Sequence, residues 1–90
     1  MHEQDRAILA YAKQALGDPR LRHDLQFDED SPAQPACLRA HLRRGVHGNQ
    51  PAPLLCDGAR VHRLITLGYL HQQGPWLMLT MAGAALLAEP

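Results

Sequence analysis

Residues 57–70 read Asp57-Gly58-Ala59-Arg60-Val61-His62-Arg63-Leu64-Ile65-Thr66-Leu67-Gly68-Tyr69-Leu70, and the reading of this stretch decides the fold. Val61, Leu64, Ile65 and Gly68 recur at three- and four-residue spacing, which predicts a helix over roughly 57–68 with one apolar face. Arg60, His62, Arg63 and Thr66 fall outside that face or at its margins. Asp57 is the expected N-cap, because its carboxylate can accept an N–H that has no partner within the first turn. Gly68 is the expected stop, because it accepts a left-handed backbone without a side-chain clash. Leu54 and Leu55 precede the cap and are expected to pack back on the helix as a staple. Beyond Gly68 the apolar period changes from near 3.6 to 2. Tyr69-Leu70-His71-Gln72 and Trp76-Leu77-Met78-Leu79 predict two short strands around a Gln73-Gly74-Pro75 turn. Thr80 can then cap a short last helix through Ala88, with Ala84, Leu87 and Ala88 as its apolar strip.

Upstream, Ile8, Tyr11, Ala12, Ala15 and Leu16 predict a first helix over 3–17, ended by Gly17-Asp18-Pro19. Residues 20–30 fit either a strand or a loop, with Leu25-Gln26-Phe27 alternating like a short strand before Asp28-Glu29-Asp30. A second helix is expected from Ser31 to Gly45. Ser31 is a good N-cap, Pro32 a good first helical residue, and the acidic triplet lies near the positive end. A start at Gln34, with Pro35 in the first turn, serves equally. Leu38 and Leu42 stand one turn apart and face inward, leaving Arg39, Arg43 and Arg44 elsewhere. His47 to Pro53 has the Gly and Pro density of a connecting loop.

The chain has 90 residues, 46% apolar and 20% charged, which suits one small globular domain over 1–90. No apolar run approaches the roughly eighteen residues of a membrane span, and the charged N-terminus shows no leader. Two cysteines make no disulfide framework, so a cytoplasmic setting with reduced thiols is expected. Nine basic and nine acidic residues cancel, but not locally. Residues 1–30 hold seven acids against four bases, whereas 31–70 hold five arginines against Asp57 alone. This segregation allows one positive face on an otherwise negative molecule.

Helix, short strand, helix, loop, helix, hairpin and closing helix is the element order of a winged helix-turn-helix domain. Arg60 to Leu70 resembles that family's third helix running into a "GYL" first wing strand. Leu79-Thr80-Met81-Ala82-Gly83-Ala84-Ala85-Leu86-Leu87 resembles the "LT..G..LL" ending of small bacterial and phage members. The likeness covers residues 57–88 closely and the earlier part by order only. It implies an α+β, mostly α fold: a three-helix core, a short hairpin wing and a C-terminal helix.

The resemblance also implies transcription regulation by binding duplex DNA, with the third helix in the major groove. Arg60, His62, Arg63 and Thr66 would be the third-helix contacts, where an arginine can read guanine or equally hold a phosphate, and Arg39, Arg43 and Arg44 on the second helix would hold phosphates. The first and last helices of such proteins often pair between subunits, and Ala82, Gly83, Ala84, Ala85 and Ala88 would permit a homodimer of that kind.

A competing reading is a winged-helix protein–protein module, such as a phage- or plasmid-encoded inhibitor or a subunit of a larger complex. The zero net charge, a wing tip without Lys or Arg, and the lone Trp76 as an interface anchor favour it. Catalysis is not expected, and no cofactor or metal is implied. Cys37 and His41, with Cys56 and His62, could form a tetrahedral zinc set, but their spacing matches no zinc-finger pattern, and Cys37 beside Leu38 suits a core.

Overall fold

Leu25 and Phe27 are buried while Asp24, Gln26 and Asp28 are only partly covered, and this two-residue alternation makes β1 (His23–Asp28) a strand with one inward face. The computed structural model describes residues 2–16, 23–29, 36–42 and 52–88. In chain order it has α1 (Glu3–Leu16), β1, β2 (Ala36–Leu42), β3 (Leu54–Cys56), α2 (Gly58–Thr66), β4 (Leu70–Gln73), β5 (Trp76–Leu79) and α3 (Met81–Ala88). The strands form one antiparallel sheet ordered β3-β2-β1-β5-β4.

This sheet overturns the winged helix-turn-helix layout. The expected second helix is absent over 36–42, where the chain is β2, paired with β1 from His23↔Leu42 to Asp28↔Cys37. Ala36, Leu38 and Ala40 are buried, and so is Cys37 between them, while Arg39 is exposed. A helix would turn Ala40 away from the face of Leu38, whereas a strand places Ala36, Leu38 and Ala40 inward. Leu54 and Leu55 likewise belong to β3 and are not a staple: Leu55 is 67% exposed. The ends of the expected second helix, including Pro32, Pro35, Arg43 and Arg44, lie outside the described residues. So does most of the expected 47–53 loop.

The hairpin is a pair of sheet strands, not a free wing. β5 pairs with β1 at Leu25↔Leu77 and Gln26↔Trp76, and the Phe27 N–H donates to the Pro75 carbonyl at 2.9 Å. The core lies on one side of the sheet, where Leu25, Leu38, Leu70 and Leu77 meet Ile8, Leu9, Ala12 and Ala15 of α1 and Val61 and Leu64 of α2. Past the end of the short β3, the Ala40 N–H is accepted by the Tyr11 hydroxyl at 3.2 Å. That hydroxyl donates in turn to the Ala52 carbonyl at 2.9 Å.

Residues 57–88 form the local elements read from their sequence. Asp57 caps α2 by accepting the Ala59 N–H at 3.0 Å. Gly68, at φ +85°, ends it: the Gly68 and Tyr69 N–H groups donate to the Ile65 and Leu64 carbonyls. Thr80 caps α3 by accepting the Gly83 N–H at 3.1 Å, and its hydroxyl donates to the Gly68 carbonyl at 2.6 Å. A Cβ on Gly83 would lie 2.2 Å from the Tyr69 carbonyl oxygen and 2.8 Å from Leu79 Cδ1. α3 can sit against the start of β4 only because that atom is missing. Among the described residues no helix is long and apolar enough to cross a membrane.

Two substitutions probe this packing. Gly83→Ala is expected to destabilise the protein by about 1–3 kcal/mol through overpacking against backbone, and Leu38→Ala by about 2–5 kcal/mol through a core cavity. Denaturant unfolding followed by circular dichroism measures both. A near-neutral Gly83→Ala would contradict the close approach of α3 to Tyr69.

Candidate functional site

Two surfaces carry the side chains with chemistry to offer. The first is the outer face of α2. Arg60, expected to contact DNA, lies 3.5 Å from the Asp5 carboxylate of α1, which is itself buried. His62 is gripped by both carboxylate oxygens of Glu29, at 2.9 and 3.0 Å. The edge-on contact of its ring with Phe27, 5.5 Å between centroids, fixes its tilt. Thr66 Oγ1 donates to the His62 carbonyl one turn back in the same helix. Arg63 is exposed and makes no ion pair among the described residues. Of the four α2 residues, two are therefore held by carboxylates from α1 and from the end of β1, one is bonded to its own helix, and one is open to solvent.

The second surface is the sheet face opposite the core. Alternation along the strands delivers Arg39 and His41 from β2, Asp24, Gln26 and Asp28 from β1, Trp76 and Met78 from β5, and His71 and Gln73 from β4. Arg39 thus sits on a strand, across from Gln26, and not on a helix. Gln26 pairs on its other side with Trp76. His41 Nε2 lies 2.6 Å from Gln26 Oε1, so that nitrogen carries the ring proton and donates. The His41 ring meets Trp76 edge-on, 6.1 Å between centroids and 85° between planes. Trp76 remains 42% exposed and its neighbour Met78 52%. A cross-strand polar set therefore braces a large apolar pair that faces solvent. No protein-family model matches the chain, nor does any curated protein or solved structure.

Gln26 and Met78 were not singled out from the sequence, and His41 only in the zinc set with Cys37; the signal that would have brought them together is the alternation of 36–42. Read as a strand, that segment sends Cys37, Arg39 and His41 to one face and Ala36, Leu38 and Ala40 to the other. The Arg60 and His62 partners, Asp5 and Glu29, lie far away in sequence and carry no local signal. Arg43 and Arg44 are outside the described residues. The closing helix presents Ala82, Ala85 and Ala88 outward, but its Gly83 faces Tyr69 of the same chain.

A groove of about 660 Å³ runs between α1, β3 and the start of α2, lined by Gln4, Ile8, Leu54, Cys56 and Gly58 among others. Both cysteines are free thiols. Among the described residues, no three His, Cys, Asp or Glu side chains come together to hold a metal, so Cys37, His41, Cys56 and His62 do not form a common site. Burial, then the neighbouring Cys37 and Asp57, push the Cys56 thiol up from 9.0 to about 11. Raising a thiol pKa disfavours the thiolate, so Cys56 stays protonated through neutral and mildly alkaline pH. Its alkylation by iodoacetamide at pH 8 is expected to be on the order of 100-fold slower than that of a free cysteine, and to climb with pH beyond 9. Mass spectrometry of the folded chain against a denatured control measures this. Labelling of Cys56 as fast as in the denatured chain would contradict its burial.

Proposed function

We propose that this chain is a non-catalytic interaction module that docks a partner protein against the open face of its sheet, with Trp76 as the anchor. The observation that carries the reading is the exposed Trp76–Met78 pair on a sheet whose opposite face holds the core. A tryptophan braced from the side by His41 has little rotamer freedom left to lose, and tryptophans of this kind dominate interface energetics. The zero net charge fits a protein partner better than a polyanion. Two free thiols suit a reducing cytoplasm, where we place the chain.

A second reading, regulation of transcription by duplex-DNA binding, is favoured by one observation: Arg63 projects from α2 with no acidic partner among the described residues. It is the weaker of the two because Arg60 and His62 are already engaged by Asp5 and Glu29. Phosphate contacts made by the remaining arginines would still give salt-dependent binding.

Affinity capture by the wild-type chain, compared with the Trp76→Ala and Arg63→Ala variants, separates the readings. The docking reading expects Trp76→Ala to weaken the captured protein's binding by about 2 kcal/mol or more, roughly 30-fold, with circular dichroism unchanged. Arg63→Ala should leave it within about threefold. Fluorescence anisotropy with duplex DNA, from low to physiological salt, gives the other arm. Binding that steepens at low salt and vanishes with Arg63→Ala, alongside capture indifferent to Trp76, would replace the docking reading with the regulator.

A further inference from the structure

Backbone hydrogen bonds alternate in direction along a strand, so two contacts settle which residue of the β3 edge faces outward. The Phe27 N–H donates toward β5, to Pro75, so its β2 partner Leu38 turns its own N–H and carbonyl away from β1 and toward β3. The Ala40 N–H agrees with this. It leaves β2 on the β3 side, for the Tyr11 hydroxyl that continues to Ala52. Ala36 and Leu38 therefore exchange their ladder bonds with Cys56 and Leu54. Leu55, between those two, has its N–H and carbonyl directed away from the sheet. β3 is an edge strand, and neither Leu55 group meets a partner among the described residues.

Beside this edge lies the groove of about 660 Å³. Leu55 and Cys56 belong to one wall, Gln4, Ala7 and Ile8 of α1 to the other, and Asp57 stands where β3 ends. The Leu55 side chain is 67% exposed, with Cys37 as its register neighbour on the β2 side and none described on the other. The groove's charge has one sign. Asp57 spends Oδ1 on the Ala59 N–H but keeps its negative charge. Glu3 stands exposed one helical turn before Ala7. No Lys or Arg is among the described residues that line the groove.

From these features we infer that the groove receives an extended segment of a partner protein, added as a further strand beside β3, with apolar residues turned onto Ala7 and Ile8 and Lys or Arg at its ends. The free backbone of Leu55 sets the form of the occupant, because an extended chain offers it an acceptor and a donor side by side. Alternation sets the pattern: every second side chain of the segment faces α1, and those between come beside Leu55. Charge sets the ends, since Asp57 and Glu3 attract a basic segment and repel an acidic one. The inference does not depend on the open-face reading. Trp76 stands on β5, three strands and about 14 Å from β3.

Fluorescence anisotropy of the intact chain with a short labelled peptide, alternating valine and threonine with a lysine at either end, tests it. The wild type should bind this peptide saturably, and more weakly as salt is raised. The same peptide ending in glutamates, or with its central amides N-methylated, should bind at least about tenfold more weakly. Leu55→Pro removes the outward N–H without touching a ladder bond, and should cost the lysine peptide at least about tenfold with circular dichroism unchanged. Asp57→Asn keeps the cap but not the charge, and should cost it about threefold. Hydrogen exchange followed by NMR on the wild type needs no variant: the Leu55 amide should exchange freely alone and at least about tenfold more slowly with the peptide bound. No saturable binding, equal binding of the lysine and glutamate peptides, indifference to Leu55→Pro, or a Leu55 amide that the peptide leaves unchanged overturns the inference. Protection of Leu55 that grows with protein concentration alone would put a second copy on the edge. Binding lost with Trp76→Ala and kept with Leu55→Pro would put the peptide on the open face. Either result overturns the inference as well.

Discussion

The structure depends on one seam. β1 carries the three-strand meander β3-β2-β1 on one side and the β5-β4 hairpin on the other, and its bond to the hairpin is short. Two residue pairs, Leu25↔Leu77 and Gln26↔Trp76, and the Phe27 N–H to the Pro75 carbonyl make that connection. The side chains of the proposed docking face sit astride it. The seam aligns Trp76 with Gln26 and Arg39 and brings His41 within reach of the indole. Leu25 and Leu77 lie on the inner side of the same pairing and belong to the core under α1. Core and open face are therefore two sides of one register, and a slip of a single residue would exchange them.

How far the sequence discloses this differs between its two halves. Residues 57–88 announce themselves because each signal is local and unambiguous: a carboxylate cap at Asp57, a left-handed glycine at 68, a change of period, a threonine cap at 80. Residues 36–42 deceive because Leu38 and Leu42 are four apart, and a separation of four is shared by a helical turn and by two strand repeats. The decisive residue is Ala40. It is inward in the strand, but it has so little apolar character that its vote is easily missed. The cluster of Ser, Pro and acidic residues before it reads as a persuasive helix start, yet residues 36–42 are a strand.

The candidate site was legible only in part. Trp76 stood out as the lone tryptophan, and the neutral charge with a tip bare of cations pointed toward a protein surface. The arginines and the histidine of the expected recognition helix were visible as residue types, but their partners were not. Asp5 and Glu29 reach Arg60 and His62 across the fold, and nothing near them in the chain predicts those meetings. The Trp76 neighbours on β2 were hidden for a different reason: assigning a helix to 36–42 scatters Arg39 and His41, while the strand collects them.

The clasp around Tyr69 has a consequence for how the molecule assembles. Its N–H caps α2, its carbonyl receives the Thr80 N–H, and Gly83 lies against that same carbonyl. All of these contacts close within a few turns of chain, so α2, the hairpin and α3 can form before the N-terminal half arrives. The β1–β5 seam, in contrast, joins residues from opposite ends of the sequence and carries the large loop-closure cost. Residues 57–88 are thus suited to be the early-forming template, with β1 annealing to the exposed edge of β5 as the late step. Until it does, the β5 edge stays unpaired, and an unpaired edge can accept β1 from a neighbouring chain as readily as its own. Folding yield should therefore depend on protein concentration even where the finished fold is sound.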